Sequence, residues 1–208
     1  ILQQLRAAMV NVGIYFMTYV LLNQNLFGVF SWAINIPLII ALAVTPVLVA
    51  KMKGMYKLNK YSYMFATACR LLVAVAGYMG SIPLMLLFTV LTNLGEGPWQ
   101  GDMSAVIAQC SEYTYLKSGK RIDGSMFSCT SLGVKLGGGI GVALSGWLLN
   151  ISGYINQNNA VQPASCISMM YVMYLWLPFV FDVIITIILS FLNVEDANRK
   201  LKGTIKNP

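Results

Sequence analysis

Five ionisable side chains lie within long apolar stretches of this sequence: Arg70, Glu96, Asp102, Lys135 and Asp182. A charge at the centre of a bilayer costs roughly 2.5 to 3.5 kcal/mol on insertion scales, so each group must face a water-filled cavity or pair with another polar group. An ionisable residue in such a stretch is by default a functional candidate. The pattern favours transport, channel or scaffold functions over soluble enzymology.

Lys135 is the clearest of these candidates. It lies ten residues past Ser125, roughly 15 Å along a helix, and glycines surround it. We interpret it as a cation that lines a cavity and meets a substrate or an acidic ion site. The alternative is a structural ion pair with Asp102 or Glu96.

Three polar or aromatic residues follow one another along the preceding apolar stretch. Asp102 and Gln109 are seven residues apart, which places them on one face of a helix. Trp99 precedes Asp102 by three residues, and a tryptophan beside hydrogen-bonding groups in a wet groove is suited to stacking on a sugar. A lipid-facing or packed tryptophan is the alternative. The predicted substrate-binding residues are Lys135, Asp102, Trp99 and Gln109.

The elements that position these residues are apolar runs long enough to cross a bilayer. Of the 208 residues, 57% are apolar and 10% are charged, and the mean hydropathy is +0.68. A spanning helix takes roughly 20 residues. We predict an all-α membrane protein whose residues 1–192 form six spans, at about 6–22, 27–50, 61–79, 82–110, 125–152 and 166–192, followed by a basic tail at 193–208.

The Lys and Arg residues are distributed in a way that predicts the topology. They cluster after the second, fourth and sixth runs, and Arg6 precedes the first, whereas the turns around residues 23–25, 80–81 and 153–165 contain none. By the positive-inside rule, the basic turns and both chain ends are cytoplasmic. We therefore predict a multi-pass protein of the plasma membrane. The same distribution accounts for the net charge of +7 without a nucleic-acid partner.

The composition gives little support to enzyme, cofactor or metal chemistry. The sequence has no His, and its four Cys residues show neither zinc-site nor CxxC spacing. We interpret the cysteines as small apolar residues inside spans. Since there is no nucleophile motif and the acidic residues belong to separate runs, we predict that the protein is not an enzyme and has no cofactor or metal site.

The fifth run is rich in glycine. Gly133, Gly137, Gly141 and Ser145 repeat every fourth residue, which places small residues on one helix face. We predict that this face is a packing seam, where a neighbouring backbone approaches closely. A dinucleotide-binding loop is disfavoured, because no strand precedes the glycines.

The second basic turn carries a more specific pattern. Residues 104–124 read SAVIAQCSEYTYLKSGKRIDG and continue into the glycine-rich run. This stretch resembles the glycoside–pentoside–hexuronide:cation symporters, which are melibiose-permease-like members of the major facilitator superfamily. The residues that fall into the family register are Ala108, Glu112, Tyr113, Lys117, Gly119, Arg121, Asp123, Gly124 and Lys135. Gln109 departs from the pattern, since the family usually has an Asp there.

The resemblance implies a fold and a function. The chain, which starts at Ile1, would be the C-terminal six-helix half of a twelve-helix symporter that moves a sugar or glycoside by alternating access. Its partners would be the lipid bilayer, the sugar and the N-terminal half, which would bind most of the coupling sodium or proton. Lys135 would lie beside the central cavity.

The resemblance also implies a cytoplasmic gate loop, whose charges could form ion pairs in one conformation and release them in another. A solvated topology signal is the alternative role for this loop. Its predicted members are Glu112, Tyr113, Lys117, Arg121 and Asp123.

A structural ion pair is predicted between Arg70 and Asp182. Counted from the cytoplasmic ends of the third and sixth runs, both charges lie roughly 14 to 15 Å deep. The family resemblance implies that these two helices are peripheral, away from cavity water. We therefore expect the pair on the outer side of the bundle, holding two lipid-facing helices in register. Snorkelling of Arg70 to the interface is the alternative.

Two other functions stay open at this point. One is a transporter of the same superfamily with cargo other than sugar. The other is a non-transporting membrane scaffold or a degenerate half-transporter, which the departure at Gln109 favours slightly.

Overall fold

The computed structural model describes residues 1–52, 54–156 and 161–206, and these residues form an all-α fold with no strand. The predicted all-α class is therefore confirmed. The helices, in chain order, are α1 Leu2–Asn11, α2 Gly13–Tyr15, a π-helical segment π1 Phe16–Val20, α3 Leu26–Met52, α4 Met55–Tyr78, α5 Ile82–Ser118, α6 Asp123–Ile151, α7 Ala164–Tyr171, a second π-helical segment π2 Val172–Trp176, α8 Leu177–Phe191 and α9 Val194–Lys206.

Three helical stretches of the described chain are long and apolar enough to cross a membrane: Leu26–Met52, Asp123–Ile151 and Ala164–Gly203. The first of them exposes Trp32, Ile39 and Val47, as expected of a helix in contact with lipid. The other predicted spans coincide with α1–π1, α4 and α5, which are interrupted or carry charges. Six crossings therefore stay a prediction.

Helices α4 and α5 extend past the apolar runs from which their boundaries were predicted. Helix α4 begins at Met55 rather than Tyr61, and α5 ends at Ser118 rather than Cys110. Nothing in these polar extensions breaks a helix, since the first breaker after α5 is Gly119, which adopts the left-handed conformation with φ 70°. At 37 residues, α5 is about 55 Å long and exceeds the thickness of a bilayer core.

The two π-helical segments pack against each other in the main hydrophobic core. The ring of Phe16 in π1 stacks on that of Tyr174 in π2, with centroids 4.9 Å apart, and Met9, Met17 and Met170 fill the surrounding space. A Cβ atom on Gly13 would lie 2.7 Å from the Tyr174 ring, so glycine is needed for this approach. Each π segment widens the helix by a turn of i to i+5 bonds and rotates the residues that follow it.

The predicted glycine seam is confirmed, and its partner is α1. A Cβ atom on Gly141 would lie 2.7 Å from the Cβ atom of Ala8, and one on Gly137 would lie 2.9 Å from that of Gln4. Ser145 continues the seam beside the sulfur of Met9. The small residues thus let α6 lie directly on α1.

The basic tail forms α9, which docks on the ends of α4 and α5. The Asn198 amide donates to the carbonyl of Gln109 at 2.9 Å, and the Glu195 carboxylate accepts from the backbone N–H of Tyr56 at 3.2 Å. The helix starts with a reciprocal cap between Asn193 and Asp196. The Asn193 amide lowers the pKa of Asp196, so this cap stabilises above the ordinary Asp pKa and is lost as pH falls through the lowered value.

The seam predicts a position-specific effect of adding volume to α6. Gly141→Val should destabilise the protein by roughly 1 to 3 kcal/mol, because the new side chain overlaps Ala8 and neither backbone can move cheaply. Gly139→Val is the matched control, since a Cβ atom there has nothing within 4 Å. Thermal unfolding in detergent measures both, and equal melting temperatures for the two variants would contradict the seam.

Candidate functional site

Four charged side chains from four helices meet in the interior of the bundle: Arg6 of α1, Arg70 of α4, Glu96 of α5 and Asp182 of α8. We call them the charge ring. All four are buried, and Asp182 is completely inaccessible. The two guanidinium groups and two carboxylates give the ring a formal charge of zero, which is the condition under which buried ions are tolerated.

The signs alternate around the ring. Glu96 Oε1 accepts from Arg6 Nη1 and, at 2.8 Å, from Arg70 Nη2. Asp182 accepts from Arg70 Nε at 3.2 Å, and its second oxygen lies 3.5 Å from Arg6 Nε. The Tyr63 hydroxyl adds a further donor to Asp182 at 3.1 Å. Each carboxylate therefore bridges both arginines, and removal of any one member leaves its two neighbours short of a partner.

Glycines on both sides of Glu96 allow the close approach of two neighbouring helices, one of which, α4, contributes Arg70 to the ring. A Cβ atom on Gly95 would lie 2.8 Å from the carbonyl of Ser62 in α4, and one on Gly97 would overlap Ala41 in α3. The Gly-Glu-Gly sequence thus places the carboxylate where α5 touches its neighbours most closely. One oxygen, Glu96 Oε2, has no hydrogen-bond partner within the described chain.

The structure brings Arg70 and Asp182 together, but their predicted position is wrong. They lie inside the bundle rather than on its lipid-facing side, because the side chains turn inward to reach Arg6 and Glu96. Arg6, which the charge distribution placed at a cytoplasmic border, is also buried in the bundle. A signal was available, since the other basic borders carry at least three Lys or Arg residues and this one has Arg6 alone.

The four predicted substrate-binding residues do not form one site in the described chain. Asp102 is buried against α4, where it faces Asn59, and it does not pair with Lys135. Trp99 packs beside Tyr63 and Leu189. Gln109 lies under α9 at the end of the bundle. Asp102 and Gln109 both belong to α5, but their spacing along the chain does not determine which neighbouring helix each residue faces.

Lys135 lies on an open face of α6. It is exposed, and it has no ion pair or hydrogen bond to any described residue. At about 100° per residue, it points away from the seam that packs on α1. The same face carries Ser128, Ser131, Gly138 and Gly146, and a Cβ atom added at either glycine would meet nothing within 4 Å. Val142, which is 71% exposed, lies on this face too, so the face combines a lysine and small residues with one apolar side chain.

The predicted gate loop is mostly helical. Glu112, Tyr113 and Lys117 belong to the last turns of α5, and Asp123 begins α6, so only residues 119–122 form a turn. Neither Lys117 nor Arg121 forms an ion pair with Asp123 within the described residues. The two cations instead lie over tyrosine rings, Lys117 over Tyr113 and Arg121 over Tyr115. Glu112 pairs with Lys202 of α9 at 2.7 Å.

This is a helical membrane protein with a buried charge ring and an open helix face that carries a lysine. Ionisable residues inside the membrane are typical of proteins whose helices surround a solute pathway. Residues 1–196 match the family model described as MFS/sugar transport protein, and the chain belongs to that family. This is a family of transporters, not of enzymes. The predicted resemblance to sugar symporters of the major facilitator superfamily is confirmed.

Two curated relatives match most of the chain. It is 26% identical over 195 residues to the Isoprimeverose transporter of Lactiplantibacillus pentosus, an alignment that covers 94% of this chain and 40% of that protein. It is 25% identical over 196 residues to the Uncharacterized symporter YnaJ of Bacillus subtilis (strain 168), covering 94% and 41%. The chain thus spans about two fifths of the length of these relatives. No solved structure matches.

The charge ring predicts a charge-balance effect on stability. Arg70→Ala or Asp182→Ala should each destabilise the protein by roughly 3 to 5 kcal/mol, because an unbalanced charge is left buried. The double variant restores neutrality, so its free energy of unfolding should fall by less than the sum of the decreases in the two single variants.

Thermal unfolding in detergent measures these three variants beside Lys135→Ala. Lys135 is also an intramembrane cation of the predicted spans, but it lies outside the ring and should change the melting temperature much less. Additive losses for Arg70→Ala and Asp182→Ala would show that the two residues are not coupled.

Proposed function

We propose that this chain is the C-terminal six-helix half of a cation-coupled symporter for a sugar or glycoside, and that the whole protein works by alternating access. Its membership of the MFS/sugar transport protein family and the name of one relative, an isoprimeverose transporter, support a sugar or glycoside as the substrate. The name of the second relative, a symporter, supports cation coupling.

The observation that carries this proposal is the open face of α6 around Lys135. A lysine and a row of Gly and Ser residues on an apolar helix are poorly suited to lipid, since the charge alone costs roughly 2.5 to 3.5 kcal/mol at the bilayer centre. Water in a central cavity, or a second bundle across it, would remove that cost. The relatives are long enough to supply a second bundle, because this chain spans only two fifths of them.

The charge ring fits the mechanical part of the proposal. Alternating access requires one bundle to rock against the other as a largely rigid body. Ion pairs that join α1, α4, α5 and α8 resist relative movement of these helices within the bundle. Helix movement would then take place between the two halves, at the face that carries Lys135.

We place the coupling-cation site mainly in the N-terminal half. Among the described residues, no three His, Cys, Asp or Glu side chains lie close enough together to hold a metal ion. Lys135 would contribute a positive charge to the cavity that the cation and the sugar share. The protein would lie in the plasma membrane with both ends of this chain in the cytoplasm.

The end of the bundle that carries Glu112 would act in the cytoplasmic gate. Its ion pair with Lys202 links α5 to α9, and both side chains are about half exposed, so the pair can form and break at little cost. Tyr113, Lys117, Arg121 and Asp123 surround the same end of α5 and the turn after it. The other half of the transporter would approach them when the cavity closes to the cytoplasm.

Uptake into proteoliposomes that contain the full-length transporter tests the function. Radiolabelled isoprimeverose should accumulate under an inward sodium or proton gradient, and Lys135→Ala should abolish accumulation while the protein still assembles in the membrane. Lys51→Ala, at an exposed position in the last turn of α3, is the matched control and should accumulate sugar like the unaltered protein. Wild-type accumulation by Lys135→Ala would refute the role of Lys135.

Labelling with a membrane-impermeant maleimide tests the topology. Single cysteines that replace Asn25 and Lys120 should react from opposite sides, because only the second turn is flanked by basic residues. In right-side-out cells, the Asn25 position should label without permeabilisation and the Lys120 position only after it. Labelling of both positions from one side would refute the proposed orientation.

A further inference from the structure

A cavity of about 690 Å³ lies at the end of the bundle that contains no Lys or Arg turn. It is bounded by α2, by π1 and the turn that follows it, and by the segments on either side of residues 157–160. Its polar lining includes Tyr15, Thr18, Tyr19, Gln24, Tyr154 and Gln162. This volume is within the range of roughly 300 to 1,000 Å³ typical of small-molecule sites. The cavity is separate from the charge ring and from Lys135, neither of which contributes to its lining.

Three tyrosines form one wall of this cavity. Tyr154 meets the edge of Tyr15 with ring centroids 5.3 Å apart and that of Tyr19 at 5.9 Å. The hydroxyl groups of Tyr19 and Tyr154 are 3.3 Å apart and share a hydrogen bond. All three rings are partly exposed, so the wall offers aromatic surface and a hydroxyl pair to whatever enters.

The local backbone is built to hold this wall in place. Tyr19 belongs to π1, whose wider turn changes the direction of the side chains relative to α1. Leu22, on the rim, has φ 53°, a conformation that non-glycine residues rarely adopt. Gln162 exchanges two side-chain hydrogen bonds with the backbone of Ile155, at 3.0 and 2.9 Å, and so fixes the segment that carries Tyr154. Features of this kind cluster at binding sites.

The chemistry of the lining selects the class of ligand. Among the described residues that line the cavity none is charged, so an ion or a phosphorylated compound has no counter-charge there. The hydroxyl pair can donate and accept, and the side-chain amide of Gln24 forms no hydrogen bond within the described residues. Tyrosine rings provide an apolar face beside these polar groups. A neutral ligand with both an apolar face and many hydroxyl groups, a saccharide ring, satisfies all of these conditions.

We propose that this tyrosine cavity is a second saccharide-binding site, at the outer mouth of the transport pathway, which captures the sugar before it reaches the central cavity. The inference that the ligand is a saccharide rests on the proposed function. The most ordinary alternative is an aromatic belt at the membrane interface. In a belt the rings point outward to lipid headgroups, whereas here they turn toward one another around a concave, partly polar space.

A comparison of the KM for uptake with the KM for efflux, measured with the full-length transporter in proteoliposomes, tests the site. Tyr154→Ala should raise the KM for isoprimeverose taken up from the outer face by about three- to tenfold, the size expected for loss of one aromatic contact. The maximal rate and the KM for efflux should change little. Tyr61→Ala, a surface tyrosine on α4, is the matched control and should change neither.

If Tyr154→Ala fails to assemble, Tyr19→Phe keeps the ring and removes one hydroxyl of the pair, so it should raise the same KM by a smaller factor. An unchanged outer KM in the assembled variants, with normal uptake by the unaltered protein, would overturn the outer site and leave the proposed function intact.

Cysteine protection measures binding independently of transport. In a background without native cysteines, Val161→Cys on the cavity wall should be shielded from a maleimide by isoprimeverose, and Asn25→Cys on the same end should not. Shielding without uptake by any preparation would refute transport while supporting the site. Equal reaction with and without isoprimeverose would overturn the site whatever the uptake result.

Discussion

The charge ring is the interaction on which the rest of this bundle depends. A buried arginine or carboxylate in a bilayer is tolerable only when an opposite charge is close, and here each of four charges has two opposite charges within 3.5 Å. Because the four residues belong to four helices, satisfying them fixes the depth and rotation of α1, α4, α5 and α8 together. Gly95 follows from the same requirement, since a larger residue there would hold α4 and α5 too far apart.

The ion pairs of the charge ring distinguish two kinds of charged residue. Some hold the helices of the bundle together, and others are free to contact a solute. Arg70, Asp182, Asp102 and Lys135 all belong to predicted spans, yet the first two are engaged in the ring, Asp102 faces Asn59, and Lys135 points outward. A charge that the bundle does not use for its own packing is available to the cavity. The same argument applies to uncharged groups in the tyrosine cavity. The hydroxyl groups of Tyr19 and Tyr154 and the side-chain amide of Gln24 are also exposed there.

Much of the fold could be predicted from the sequence, because apolar run length and Lys/Arg position determine where helices lie. The ends of α4 and α5 could not, since a helix continues through polar residues until a breaker such as Gly119. The pairing of Arg70 with Asp182 followed from equal depth, but depth carries no information on rotation about the helix axis. For that reason Arg6 and Glu96 were missed as partners of this pair. The assignment of Trp99, Asp102, Gln109 and Lys135 to substrate binding stays a prediction.

Helix α6 shows how rotation about one axis separates two roles. Its Gly137 and Gly141 are explained by contact with α1, where a side chain would collide. Gly138 and Gly146, on another face, have no such neighbour in the described chain. Glycine weakens a helix relative to alanine by roughly 1 kcal/mol. Glycines that contact no neighbouring helix therefore destabilise α6 without improving packing inside this bundle. Close approach of a second bundle, or of a solute beside Lys135, would explain why these positions are glycine. Either explanation requires a contact surface outside the described residues.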